Sequence, residues 1–430
     1  MKEKIKSITL VLLVVCSLVQ SYFLIYRLPG SNPVVKTANE YIKTENMGTE
    51  LEADELLYPS QITVHLGDNR HTVFYPESTF YNLIYSRLKG RQFDGFQRYP
   101  VNNINWSEIR SEQIGLELEF GKGMPVELLQ KVMQITKDPL FEGESISRLL
   151  IYSTDTEEQV RVFFFSSRGD VVYEATKADL TMQDVKQQAD FGKDWISYTL
   201  EKGYYIPEQS IEMVETTLRT GLFSTEQMQS IFFDPSITRY IREKDGSEIY
   251  TDGRRSLQVR QSRNWINYTD PVAAAVTGES SPGRNALSAV DFVNQHGGWN
   301  GKYRLDQSEG PNAESQTVMF QQYYGSGQYG AFPIIDQSTF HYGVISLELR
   351  QGTITGYERS LIYSLGEKAD KQVIKLAGGD ELRRKIELLS HESVIKRLYP
   401  AYLPTLGENG LKLTPMWVAE LQNGATRILP

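Results

Sequence analysis

Residues Ser7–Tyr26 read SITLVLLVVCSLVQSYFLIY, an apolar run of roughly the 20 residues that a helix rising 1.5 Å per residue needs to cross a ~30 Å hydrocarbon core. Lys2, Lys4 and Lys6 precede it, and no comparable run recurs later in the sequence. One tether and one large body beyond it is the architecture to expect. The run is longer than the roughly 7–15 residues of a signal-peptide core, and Arg27-Leu28-Pro29-Gly30-Ser31 offers no small-x-small cleavage site after it. A lipoprotein signal would put a small residue before the cysteine, whereas Cys16 follows Val14-Val15. The segment therefore reads as an uncleaved anchor. Lysines before the span place the N-terminus in the cytoplasm and the body outside, with Tyr22 and Tyr26 near the outer end as interfacial aromatics.

Within the span, Ser17, Gln20, Ser21 and Leu24 fall on one helical face. Gln20 is costly against lipid, and its amide can bond to a neighbouring helix. The competing reading places Gln20 among the outer headgroups, where it costs little.

The 430 residues carry a net charge of −9. Lys2, Lys4, Lys6 and Arg27 against Glu3 make the first 27 residues +3, so the body beyond carries −12. Such a body is a poor match to nucleic acid or to an anionic membrane surface. Cys16 is the only cysteine and lies in the apolar run, which excludes a disulfide scaffold, a cysteine nucleophile or a thiolate metal site in the body. Stability must come from ordinary cores, for which 25 Tyr and 18 Phe give ample aromatic material.

After a cytoplasmic tip and anchor (1–27) and a polar stalk (28–57, with a short helix around Thr37–Glu45), the pattern is α+β in three units, 58–175, 176–310 and 311–430. In the first, Gln61–Leu66 and His71–Tyr75 read as strands across Gly67-Asp68-Asn69, and Glu77–Lys89 as a helix. Ile114–Phe120 is a strand, Pro125–Ile135 a helix, and Leu149–Ser153, Val160–Ser166 and Val171–Ala175 are strands. In the second, Thr181–Gln188 is helical. Thr238–Arg242 pairs with Glu248–Thr251 across Asp245-Gly246 and leads on to Ser256–Arg260, an antiparallel meander. A helix over Arg284–Gln295 stops at His296-Gly297-Gly298. In the third, Val318–Tyr324 is a strand, Gly343–Arg350 and Thr353–Ser360 form a hairpin, and Asp380 caps a helix to Leu389. Glu392–Leu398 reads as a further helix and Leu411–Leu421 as a strand. The shared order of the last two units points to structural duplication.

Catalytic chemistry is hard to find. His65 and His71, six apart across a predicted hairpin, can approach as zinc ligands, though two strand-surface histidines are the ordinary reading. His296, His341 and His391 are isolated. Ser393-Val394-Ile395-Lys396 matches Ser-x-x-Lys of penicillin-binding proteins but lacks the Lys-Thr-Gly and Ser-Asp-Asn partners. A glycan hydrolase needs two carboxylates across a cleft, and Asp234, Asp252 and Asp291 cannot be paired from sequence. Asp252-Gly253 and Gly297-Gly298-Trp299 read as turn glycines and a buried tryptophan, and the Tyr323–Tyr329 loop as a packed loop. No catalytic, cofactor or metal residue is assigned.

Four motifs in order carry a resemblance. They are Tyr58-Pro59-Ser60-Gln61-Ile62, Phe233-Asp234-Pro235-Ser236 with Tyr250-Thr251-Asp252-Gly253, Asn294-Gln295-His296-Gly297-Gly298-Trp299, and Leu413-Thr414-Pro415-Met416-Trp417. Together with the anchor, the chain resembles the YycH family, membrane-anchored regulators of the essential Gram-positive cell-wall histidine kinase WalK (YycG). The resemblance implies a three-domain extracytoplasmic body of antiparallel sheets with packed helices, its last two domains similar to each other and to the sister protein YycI. It also implies a membrane complex of YycH, YycI and the kinase regulated through transmembrane contacts, which gives the Ser17/Gln20/Ser21/Leu24 face a task. It implies no catalytic residue or cofactor. The sign of regulation, the external signal and self-association stay open. The alternative is an anchored envelope enzyme or cell-wall glycan-binding module.

Overall fold

The computed structural model describes Gly48–Leu429 apart from residues 155–158, 235, 261–263, 272–279, 313–314, 326 and 390–393, together with Lys6, Leu13–Val15 and Ser17; side chains of 309–314 and 368–370 are also outside the description. The chain divides into two compact units, Met1–Ile42 and Lys43–Pro430. In the first, the described residues are helical and exposed. No helix among the described residues is long and apolar enough to cross a membrane. Most of the expected span, the expected stalk before Gly48 and its short helix lie outside the described residues.

In the second unit the described residues form three sheets. The first comprises β1 (Gln61–Leu66), β2 (His71–Phe74), β3 (Gln92–Pro100), β4 (Ile114–Pro125), β5 (Gln134–Ile135), β6 (Ser145–Thr154), β7 (Gln159–Ser166), β8 (Val171–Ala178), β9 (Tyr198–Glu201) and β10 (Tyr204–Pro207). Their order is β10-β9-β2-β1-β4-β6-β7-β8-β3-β5, antiparallel except where β3 meets β5. β11 (Ile211–Leu222) begins a second sheet. Before that sheet continues, the chain builds a third from β12 (Arg239–Arg242), β13 (Glu248–Thr251), β14 (Ser256–Arg260), β15 (Trp265–Thr269), β16 (Lys302–Asn312), β17 (Ser315–Gly325), β18 (Ala331–Pro333), β19 (Val344–Arg350) and β20 (Thr353–Ser360). Its order is β12-β13-β14-β15-β20-β19-β17-β16, with β18 on β17. Then β21 (Ile362–Leu376), β22 (Ile395–Gly407), β23 (Gly410–Leu421) and β24 (Thr426–Leu429) complete the second sheet as β21-β11-β23-β22, with β24 on β23. The pairing draws its own lines through the chain: β9 and β10 join the first sheet, and β16 and β17 pair across residue 310 within the third.

Seven α-helices lie among the described residues of the second unit: α1 (Thr79–Lys89), α2 (Trp106–Glu112), α3 (Val126–Val132), α4 (Met182–Ala189), α5 (Thr225–Phe232), α6 (Pro282–Gln295) and α7 (Gly379–Leu389). Their starts follow side-chain chemistry. Thr181 and Ser224 close capping boxes with Asp184 and Gln227. The Ser281 hydroxyl accepts from the Arg284 amide just before Pro282.

The runs Leu149–Tyr152 and Val162–Phe165 explain why the first sheet is covered on both faces. Leu149, Ile151 and Phe164 join the large core shared with the third sheet, while Leu150, Tyr152, Phe163 and Phe165 form a smaller core under Trp106 of α2. The second sheet has its own core with β9, β10 and α7.

Three expectations are corrected. The helix expected over Glu392–Leu398 is corrected where residues are described: from Ile395 the chain is strand β22, paired with β23 along its length. Ile395 and Leu398 mimic a helical spacing, but the ladder to β23 decides the conformation, and Pro400 and Pro404 are tolerated because β22 is an edge strand. The helix after Pro125 ends at Val132, because Gln134–Ile135 pairs with β3. Asp380 lies inside the first turn of α7 rather than ahead of it.

Candidate functional site

The three sheets meet around a polar cavity of about 260 Å³. From the first sheet comes Lys122. β4 pairs regularly with β6 up to Glu119 and resumes at Met124, so Gly121-Lys122-Gly123 forms a bulge that re-aims the lysine. Gly121 has φ +66°, and a Cβ there would sit 2.9 Å from both Arg304 Nη2 and Asp306 Oδ1. Only glycine meets both demands. Lys122 Nζ donates to Gln307 Oε1 at 3.1 Å.

The third sheet contributes Arg304 and Asp306 on β16, brought together where the register to β17 slips between Leu305 and Gln307. Arg304 is 1 % exposed. Its Nε donates to the Tyr323 hydroxyl at 3.0 Å, its Nη2 pairs with Asp306 at 2.5 Å, and its Nη1 has no partner. Burial works against its charge, yet Tyr323 and Asp306 hold it more firmly protonated than usual. Asp336 also lines the cavity. Burial raises its carboxyl above the usual range, against the pull of His341 at 3.0 Å.

The second sheet contributes Arg397, which spans two sheets. Its Nε lies 3.3 Å from Glu119 on β4, its Nη1 3.3 Å from Glu420 on β23, and its Nη2 donates to the Ser60 hydroxyl at 3.3 Å. Burial opposes the guanidinium charge, but Glu119 and Glu420 outweigh it and raise its pKa. Removing one member of such a buried network leaves the others charged and unpaired.

A second polar cluster is sealed within the first sheet. His65 and His71 do approach, their Nδ1 atoms 3.0 Å apart, but they are fully buried rather than on a strand surface. Such a contact needs one ring to donate and the other to accept, so both cannot carry a proton on Nδ1. Burial lowers both pKa values, that of His71 to about 3. Glu117 lies 3.6 Å from His65 Nε2, accepts two hydrogen bonds from Arg110 and one from Tyr205. Burial would raise its pKa, but Arg110 first and then His65 and Arg148 hold the carboxyl well below its usual range. Among the described residues no group of three or more His, Cys, Asp or Glu is placed to hold a metal ion.

The other sequence candidates do not converge. Asp234 accepts from the Ser236 amide and hydroxyl. Asp252 accepts from the amides of Arg254 and Arg255 and pairs with the Arg255 guanidinium. Asp291 is exposed on α6. Trp299 is buried and donates to Asn294 at 2.7 Å. The Gly298 carbonyl accepts from Arg359. Tyr323 and Tyr329 pack inward, against Tyr58 and Trp195. Lys396 sits on β22 beside Glu420, while Ser393 and His391 lie outside the described residues. Ser17 is exposed on a helix, and Gln20, Ser21 and Leu24 lie outside the described residues. A wider groove of about 810 Å³ runs beside α1, bordered by Tyr58, Lys89, Trp299 and Lys302.

Sequence reasoning missed Arg304, Arg397 and Lys122. Two signals were available: a lysine flanked by glycines in a strand, and arginines among the buried alternation of Tyr303-Arg304-Leu305 and Arg397-Leu398.

The chain matches the model of the YycH protein N-terminal domain over residues 3–191 and that of the YycH protein C-terminal domain over residues 201–428. It is 23% identical over 463 residues to the two-component system WalR/WalK regulatory protein YycH of Bacillus subtilis (strain 168), covering 100% of this chain and 96% of that protein. Its fold is similar to the crystal structure of YycH from Bacillus subtilis, with a TM-score of 0.66 and 17% identity over 89% of this chain and 98% of that one. An uncharacterized protein from Eubacterium rectale ATCC 33656 shares only a distant likeness, with a TM-score of 0.30, 9% identity and coverage of 54% and 88%.

Proposed function

This chain belongs to the YycH family, and from that premise we propose that it is a non-enzymatic accessory regulator of a sensor histidine kinase that governs cell-wall metabolism. The carrying observation is the end-to-end match to a relative named as a WalR/WalK regulatory protein. The candidate acids Asp234 and Asp252, each engaged in its own turn, favour this reading over a wall-glycan hydrolase.

In this reading, Ser7–Tyr26 is a single uncleaved span with the N-terminus in the cytoplasm and the body outside. Its Ser17, Gln20, Ser21 and Leu24 face packs against the kinase or a YycI-like sister. The body comprises three domains, the last two alike. The regulator shifts the kinase between states by binding one of them better than the other. Replacing residues 7–26 with an unrelated span tests the mechanism: kinase output should lose its dependence on this protein. Unchanged output in that swap sinks helix-borne regulation.

A further inference from the structure

We propose that β12, the outer strand of the third sheet, is a docking edge for an extended, carboxylate-bearing segment of a protein partner. Among the described residues β12 pairs with β13 alone, which leaves its other edge open. The register fixes what that edge offers. The Glu243 amide donates to the Ser247 carbonyl, and an antiparallel ladder alternates bonded with non-bonded pairs. Arg239 and Ile241 therefore turn their main-chain groups toward β13, while Tyr240 and Arg242 turn theirs outward, ready for an added strand.

The side chains set the class of partner. All of β12 is exposed, with Tyr240 at 53% and Ile241 at 50%. Arg239 and Arg242 have no hydrogen-bond or ion-pair partner among the described residues, on a chain whose net charge is negative. Successive side chains alternate faces, so each face of the strand carries one apolar residue beside one guanidinium: Arg239 with Ile241, and Tyr240 with Arg242. An antiparallel strand complements this with the order carboxylate, apolar, apolar, carboxylate. On the inner edge β13 already presents nearly that order, Glu248-Ile249-Tyr250-Thr251 opposite Arg242-Ile241-Tyr240-Arg239. A second copy fits badly, because two β12 strands paired about their centre set Arg239 against Arg242 twice, and like charges directly opposite repel. The arginines thus guard the edge against its own kind while leaving it open to an acidic strand. An anionic lipid surface fits worse, since Tyr240 and Ile241 point to opposite faces and the exposed Glu243 and Asp245 occupy the turn beyond. This edge stands or falls by binding alone, independently of the kinase-regulator reading.

The test uses the full chain in detergent micelles and a fluorescent hairpin peptide, closed by a disulfide to limit its ordering cost, whose free edge reads Glu-Val-Tyr-Glu. Fluorescence anisotropy should show saturable binding, and the Lys-Val-Tyr-Lys counterpart should bind at least tenfold more weakly. Arg239→Glu combined with Arg242→Glu should invert that preference. Tyr240→Pro removes an N–H that β13 does not use, and should bind at least tenfold more weakly than Tyr240→Thr, which keeps it. These positions are exposed, and the thermal midpoint of each variant verifies its fold. A probe N-methylated along its free edge should fail against the unaltered protein, a result that depends on no variant. Equal binding of the two hairpins, undiminished binding of the N-methylated probe, displacement of the probe when phosphatidylglycerol replaces zwitterionic phospholipid in the micelles, or a dimer that Tyr240→Pro abolishes overturns the proposal.

Discussion

The buried histidine pair should make this protein acid-sensitive in a calculable window. His71 has an unperturbed pKa of 6.5 and a folded one of about 3, lowered first by burial and then by His65. The sign follows from linkage: below about pH 6.5 the unfolded chain takes up a proton that the folded chain refuses. The group therefore costs nothing above that pH and destabilises progressively below it, until the folded pKa is reached. Each pH unit is worth about 1.4 kcal/mol, so at about pH 4.5 the penalty is about 2.7 kcal/mol. The assay is urea unfolding of the full chain and of His71→Asn at about pH 7.5 and 4.5. The wild type should lose about 2.7 kcal/mol more than the variant across that interval. The variant will be less stable at the higher pH because Asn69 and His65 lose their partner, and that offset cancels in the difference. Equal losses in both proteins would refute the claim that His71 is held neutral.

Arg397→Ala strips Glu119 of its cation and leaves Glu420 with Lys396 alone at 3.7 Å, and should cost about 3–5 kcal/mol in denaturant titration. Gly121→Val must adopt a positive φ and collide with the Arg304–Asp306 pair; a loss of at least about 1–3 kcal/mol is expected by the same measurement. Ser281→Ala removes the cap of α6 and should cost about 0.5–2 kcal/mol, read as a lower thermal midpoint. Gln20→Leu should weaken co-purification of the kinase or the YycI-like partner from membranes, whereas an undiminished complex returns Gln20 to the lipid headgroups.

Strands with clean alternation or strong turns were legible in the sequence. Gln61–Leu66, the Asp245-Gly246 hairpin and the Gln351-Gly352 hairpin lie where their residues place them, because local turn chemistry decides register. Helix α6 was legible to within two residues of its start and through its glycine stop. What was not legible is set at long range. β11, with three Thr and two Glu, and β21, with three Lys, went unread because neither alternates cleanly and each becomes a strand through its partner. The polar cavity was hidden for the same reason: Lys122, Arg304 and Arg397 lie far apart in sequence, and only the meeting of three sheets makes neighbours of them. The histidines were half-read, since the hairpin gives their approach but not the Tyr205 ring that packs on both.

The position of β11 bears on how the chain comes to be folded as it is made. Its partners are β21 and β23, and the entire third sheet is threaded between it and the first of them. During synthesis, at about 5–20 residues per second, Ile211–Leu222 must wait with both hydrogen-bonding edges bare until residues 223–361 have been made. Ribosomal output alone thus imposes a delay on the order of ten seconds or more. A bare strand is a template for the wrong neighbour, so this interval is when the nascent chain most needs a holdase or early closure of the first sheet beside it. Slowing elongation within the third sheet should lower yield more than slowing it after β23, a difference that has nothing to do with the stability of the finished molecule.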